Sequence, residues 1–204
     1  MKQKIDIKDG NTRLFFSSDF HLFHKNVIRF DNRPFKDVDE MHEDIITKWN
    51  NVVGKNDVVY YLGDLTFAKA HEMNEVDRII KSLNGKIHFI MGNHDDNAVI
   101  RKFNRFESVN DYVELKVTHN DNGKEVETFV SLFHYPIFSW NKGHHGSLHL
   151  HGHCHGGLHH GEDVGYYDNR RVMDVGCMLT DYYPISFEEV YKKLMAVEIK
   201  KLDR

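Results

Sequence analysis

Three times in its first 95 residues the chain runs through a short apolar stretch and stops abruptly on polar ones: "RLFFSSDFH", "DVVYYLGD" and "KIHFIMGNHD". Apolar runs of this length, closed by Gly, Asp, Asn or His, read as buried strands with their chemistry at the ends. Between the first two, Val38, Met41, Ile45, Trp49 and Val52 recur at helical spacing, opened by Asp37 and Glu40 in a capping-box pattern. Between the second and third, Met73, Val76, Ile80 and Leu83 make another stripe, closed by Asn84-Gly85. A β-α-β-α-β order restricts the chain to an α/β fold with a sheet core and right-handed crossovers. The later texture differs. "DYVELKVTH" and "EVETFVSLFHYP" flank "NDNG", a hairpin signal, and "SLHLHGH" and "RRVMDVGCM" read as further short strands. Ser186 and Glu189 open a final helix, and "MAVEIK" is expected to form a last strand. With three prolines, no internal repeat and no linker, residues 1–204 are expected to form a single domain.

Composition removes several function classes. A formal charge of -4 gives no general nucleic-acid-binding surface, and no run approaches the length of a membrane span. Cys154 and Cys177 cannot make a disulfide framework, and the polar start "MKQKIDIKDGNTR" has no signal-peptide core, so a reducing, cytoplasmic location is expected. Oligomeric state leaves no trace in the sequence.

Eight of the sixteen histidines fall between residues 144 and 160, in "HHGSLHLHGHCHGGLHH". A purification tag is contiguous and terminal; this run alternates. In an extended backbone His149, His151, His153 and His155 point to one side, although Gly152 marks the place where a strand would end or bend. His149 and His151 read as a strand face or as support behind ligands. His144, His145, His159 and His160 read as solvated loop residues, and Cys154 as a small side chain turned away from the motif histidines.

Five short elements stand at the ends of these strands: "DFH" at 19–21, "GD" at 63–64, "GNHD" at 92–95, "FHYP" at 133–136 and "GHCH" at 152–155. Singly they are weak, but G-N-H-D alone is expected by chance on the order of 0.01 times in such a chain, and here the set is ordered. In that order it resembles the calcineurin-like metallophosphoesterase superfamily. The stretch "SDFHLFHKNVIRFDNRPF" is further similar to a compact bacterial and phage-type subgroup. The resemblance implies a sandwich of two mixed β-sheets flanked by helices, with the motifs on loops at one end. It also implies two divalent metal ions: Asp19, His21 and His155 on the first, Asn93, His134 and His153 on the second, Asp64 bridging, and His94 as the catalytic histidine. Mn2+ is the expected ion by resemblance, with Fe, Ni or Zn compatible with mixed N/O donors. "GDLTF" departs from the longer G-D-x-V-D-R-G of protein phosphatases, which argues against phosphoprotein substrates and leaves open what orients His94; Asp95 is its neighbour in sequence.

The chemistry so implied is hydrolysis of a phosphomonoester or phosphodiester by a hydroxide bridging the two ions, with His94 assisting the leaving group. A small phosphoester substrate is expected, with nucleotides and nucleic-acid ends compatible. The alternative is a non-catalytic, metal-binding interaction scaffold of the same fold, which would not need His94. A metal-buffering histidine tract would instead bind many ions weakly. For substrate contacts, Arg29 and Arg33 are candidate phosphate clamps, Pro34 favouring an extended Arg33 that projects outward, against ordinary pairing with Asp31 or Asp37. His24 and Asn26 are candidates for the rim.

Overall fold

The computed structural model describes residues 1–159 and 168–199. Its order is β1 (Lys2–Asp6), β2 (Leu14–Ser17), α1 (Lys25–Phe30), α2 (Val38–Val52), β3 (Val58–Tyr61), α3 (Met73–Ser82), β4 (Lys86–Ile90), α4 (Asn97–Ile100), β5 (Phe106–Asn110), β6 (Tyr112–Asp121), β7 (Lys124–Phe133), β8 (Leu148–His151), β9 (Val172–Asp174), β10 (Ile185–Ser186) and α5 (Phe187–Met195). Two five-stranded sheets result, ordered β10-β2-β3-β4-β5 and β1-β6-β7-β8-β9. Both are mixed: β2 to β5 are mutually parallel with β10 antiparallel, while β6 and β7 form an antiparallel hairpin between parallel neighbours. This is the expected sandwich of two mixed β-sheets flanked by helices.

Strand alternation divides the core. Leu14 and Phe16 join Tyr60, Leu62, the hairpin residues Val113, Leu115 and Val117, and Leu148 and Leu150 between the sheets. Phe15, Val59 and Tyr61 point the other way, onto Met41, Ile45 and Trp49 of α2 and Val76, Ile79 and Ile80 of α3. Asp37 caps α2 by accepting from Glu40 N at 2.9 Å, and Trp49 donates its indole N–H to Asn84 O. The hairpin turns at Asn122 and Gly123, both with positive φ, as a two-residue type I′ connection requires. Among the described residues no helix is long and apolar enough to cross a membrane.

Three elements depart from expectation. "MAVEIK" is no strand in its described part: α5 runs to Met195, residues 196–199 form no regular element, and Lys200 lies outside the described residues. The capping box and the apolar face of Phe187, Val190 and Leu194 carry the helix only as far as Met195, the first residue of that stretch. β1, in the polar start, forms an edge strand parallel to β6, exposed and half-buried at alternate positions. α1 adds a short helix between "DFH" and the first helix expected from the sequence.

Asp57 joins β2 to β3 at the end remote from the motifs. Its carboxylate, 6% exposed, accepts from Arg13 N, Gly54 N and the Arg13 guanidinium, which in turn donates to Val52 O. Burial alone would raise its pKa, but the Arg13 and backbone hydrogen bonds outweigh it and hold it below the ordinary carboxylate value. A depressed folded-state pKa stabilises above the unfolded pKa of about 4 and stops doing so as pH falls through the folded value. We predict that Asp57→Asn lowers unfolding free energy by about 1–3 kcal/mol at pH 7, with Arg13's half-exposure limiting the ion-pair share. In urea titrations the gap between parent and variant should narrow as pH drops below about 4. A gap unchanged with pH would show that the charge is not what matters.

Candidate active site

Parallel strands stop at a common end, and the motifs are what follow them. Asp19 and His21 leave β2, Asp64 leaves β3, and Asn93 and His94 leave β4. On the other sheet His134 follows β7, and His153 and His155 follow β8. The first two loops run side by side, with Asp19 N donating to Gly63 O, His21 N to Asp64 O and Leu22 N to Leu65 O. Between the two ligands of "DFH", Phe20 is fully buried, its ring 4.8 Å from Tyr61 and 5.8 Å from Trp49, and its N–H donates to the Tyr61 hydroxyl. That anchor holds the first of three strained loops, on which Asp19, His21, Asp64, His153 and His155 all have positive φ, between 47° and 70°. Non-glycine residues in this region are uncommon and persist only where surroundings over-determine them.

Two groups of donors result. Asp19, His21 and His155 form one, and Asp64, His134 and His153 the other, the donor atoms within each lying within 4.8 Å of one another. Asp64 Oδ2 reaches both, 3.7 Å from His21 Nε2 and 3.5 Å from His134 Nε2. Asn93 Oδ1 joins the second, 3.0 Å from His134 Nε2 and 2.8 Å from His153 Nδ1. The seven side chains expected to bind metal are therefore together.

The surroundings turn the donors inward. His134 Nδ1–H donates to Leu62 O at 2.6 Å and His155 Nδ1–H to Asp31 at 2.9 Å, leaving each Nε2 facing the cluster. His21 Nδ1 is buried with no hydrogen-bond partner, while its Nε2 lies 3.0 Å from His155 Nε2. Burial holds the His21 pKa down to about 4. Burial opposes charge on His155 too, but hydrogen bonds to Asp19 and Asp31 prevail and push it up to about 10. His134 is likewise raised against its burial, by Asp64. The carboxylates thus favour positive charge on His155 and His134, the charge that cations would supply between the same groups. Buried carboxylates opposed by inward-facing imidazoles and an amide oxygen fit two divalent ions. Glycines permit the close packing: a Cβ on Gly92 would lie 2.2 Å from Asp64 Oδ1, and one on Gly152 2.4 Å from Asp19 Oδ2.

His94 stands at the open side, exposed, its ring 4.5 Å from Phe67 and 5.8 Å from His21, and its backbone N–H donates to Asp64 Oδ1. Asp95 does not hold its side chain. That carboxylate is spent on the N–H groups of Gly92, Asp64 and Leu65. Contact with Phe67 is what the structure offers to orient His94.

The alternating histidines do not share one face. β8 ends at His151, and the left-handed residues that follow carry His153 and His155 round a loop. His149 and His151 are buried: His149 donates to Ser131 O and accepts from Ile137 N, supporting the turn after His134, and His151 Nδ1 lies 2.7 Å from Gly152 O. Burial lowers them to about 4 and about 3. His144 and His145 are exposed, and His160 lies outside the described residues. Cys154 is half-buried and outside both donor groups, its thiol pushed up to about 12 by burial. His24 reaches the rim, stacked on Phe67, whereas Asn26 is an exposed residue of α1.

The two arginines divide. Arg29 is exposed on α1, its guanidinium 5.3 Å from the Phe30 ring. Arg33 does not project outward: its side chain is 0% exposed, donating to Phe20 O, Asp19 O and Asp31. The expected phosphate clamp at Arg33 is corrected to a brace. It fixes the backbone of "DFH" and, through Asp31, the ring of His155. Asp31 and Phe67 are functional candidates that sequence reasoning passed over. Asp31 stood there only as a pairing partner, although its place two residues before Arg33 was a usable signal; nothing marked Phe67.

A calcineurin-like phosphoesterase family model matches residues 12–192. An uncharacterized protein of Methanocaldococcus jannaschii is 33% identical over 181 residues, covering 88% of this chain and 90% of its own length. The gene 66 protein of Mycobacterium phage L5 is 26% identical over 159 residues, covering 69% of this chain and 76% of its own. A crystal structure of a protein of unknown function from Aquifex aeolicus superposes with a TM-score of 0.66 at 26% identity, covering 90% of this chain and all of that one.

Removing Arg33 takes away the donor to Phe20 O, leaves Asp19 O with the Cys177 thiol alone and strips Asp31 of its cation, though His155 still donates to it, so Arg33→Ala should lower unfolding free energy by about 3 kcal/mol. Arg29→Ala should change it by less than about 0.5 kcal/mol. Urea denaturation of both variants checks the contrast, and equal, small effects would contradict the brace.

Proposed function

The chain belongs to the calcineurin-like phosphoesterase family, and on that premise we propose that it hydrolyses a phosphomonoester or phosphodiester with two divalent ions, Mn2+ the activating one. The observation that carries this reading is the single carboxylate of Asp64 within 3.7 Å of one imidazole group and 3.5 Å of the other, beside an exposed histidine. When bound, two divalent ions supply the Lewis acidity that activates water and draws charge from phosphoryl oxygens.

The chain's own residues do the rest. Asp19, His21 and His155 would hold one ion, Asn93, His134 and His153 the other, with the Asp64 carboxylate in reach of both groups. Asp31 and Leu62 O fix ring orientations, so the donors need no rearrangement during turnover. His94, on the open side, passes a proton to the oxygen that leaves phosphorus. Arg29, exposed beside the cavity's Phe30, is the remaining candidate for an outer phosphate contact. An accessible cavity with an exposed His94 supports an enzyme over a non-catalytic scaffold of this fold. Two free thiols, Cys154 and Cys177, support a reducing, cytoplasmic setting.

Metal-reconstituted protein should hydrolyse a chromogenic phosphoester, with activity lost on chelation and restored by Mn2+. Asp64→Asn should reduce occupancy of both metal positions, whereas His94→Ala should keep two ions and lose about 10²–10⁴-fold in kcat. Metal analysis with steady-state kinetics reads both. Full activity in His94→Ala would remove that residue from the chemistry, and inactivity of the parent on mono- and diesters with every plausible ion would sink the enzyme reading.

A further inference from the structure

In front of the two donor groups lies a cavity of about 200 Å³, and its wall on the His94 side is aromatic. The Phe67 ring centroid is 4.5 Å from that of His94. Behind it His24 stacks on Phe67, centroids 4.2 Å apart and planes 20° apart, and Phe30 meets His24 edge-on at 6.1 Å. These rings are not spent on the core: Phe30 is 61% exposed and Phe67 38%. Phe67, stacked by His24 and flanked by His94, shows the cavity what remains of its surface, and Phe30, with the Arg29 guanidinium 5.3 Å from its ring, is the more open of the two; exposed ring surface of this kind beside a polar floor is what a planar ring can stack on.

The charge of the cavity narrows the occupant. Among the described residues that line it there is no lysine or arginine. The site can neutralise one phosphate over the metal-binding groups, but it lacks the positive groove by which a nucleic-acid strand is tracked. The aromatic wall also stands on the side of His94, where the leaving oxygen departs. Resting on the phosphoesterase reading above, we infer that Phe30, His24 and Phe67 form a stacking face for the base of a small nucleoside phosphoester, carried on the leaving alcohol. The order along the wall adds a distinction. A ring attached directly to the ester oxygen meets Phe67, next to His94, whereas a base set off by a sugar extends to Phe30.

Matched probes test this. On Mn2+-loaded protein, kcat/KM is compared for the methyl diesters of adenosine 5′-phosphate and ribose 5-phosphate, and calorimetric Kd for adenosine 5′-monophosphate and ribose 5-phosphate. Stacking of one base predicts a preference of about 5- to 140-fold for the base-bearing member of a pair. Phe30→Ala, at an exposed position, and Phe67→Leu should each bring that ratio toward about 1, while the kcat/KM of phenyl phosphate should respond to Phe67→Leu only. A ratio near unity in the parent, or one unchanged in both variants, overturns the stacking face even if every ester is hydrolysed. If none is hydrolysed, the phosphoesterase reading fails and the calorimetric ratio still decides for or against the face. A 5′-phosphorylated single-stranded oligonucleotide bound more than about tenfold tighter than the mononucleotide would overturn the small-substrate assignment.

Discussion

The carboxylate of Asp64, 2% exposed and set between two groups of imidazoles, is the interaction on which the arrangement turns. Asp19, fully buried, lies close by on the neighbouring loop. Buried carboxylates are tolerated only where opposite charge and hydrogen bonds compensate them. Arg33 answers Asp31. For Asp19 and Asp64 the compensation comes from backbone N–H groups and from imidazoles, and the same donors fit cations that would complete it. His134 and His155 are both driven toward the protonated form, which is the same demand expressed as proton uptake.

The fold meets that demand by ending parallel strands together. Strand ends release backbone groups from the ladder, and here those groups are used on the site: Asp95 collects three N–H groups, and Asp19 accepts from His153 N across the gap between sheets. Five donor residues in left-handed conformation are the local penalty. Phe20, locked among Tyr61 and Trp49, and Arg33, gripping the carbonyls of Asp19 and Phe20, hold the first loop in it. The helical layer over β2 to β4 is thus part of the site's support as well as of the core.

Much of this was legible in sequence because it is local. Apolar runs with polar ends gave β2, β3 and β4, the helical stripes gave α2 and α3, Asn122-Gly123 gave the hairpin, and the ordered motifs brought the ligand set to one end. Illegible parts depend on contacts between distant segments. Alternation alone put four histidines on one face, but the chain turns at Gly152 and splits them into two buried supports and two loop donors. Pro34 restrains the backbone of Arg33 but says nothing of where a long side chain finds acceptors, and the acceptors were carbonyls more than ten residues away. Phe67 carries no signal because its neighbours, His24 and His94, come from other loops. "MAVEIK" has strand-like composition, but α5 takes its first residue and the described residues that follow pair with no strand.

Locating the cations by anomalous diffraction from crystals grown with Mn2+ puts Asp64 to the test. Two peaks per chain about 3.5–4 Å apart are predicted, one among Asp19, His21 and His155, the other among Asn93, His134 and His153, with an Asp64 oxygen bound to each. A single peak, or two that leave Asp64 unshared, would contradict an architecture built around that carboxylate.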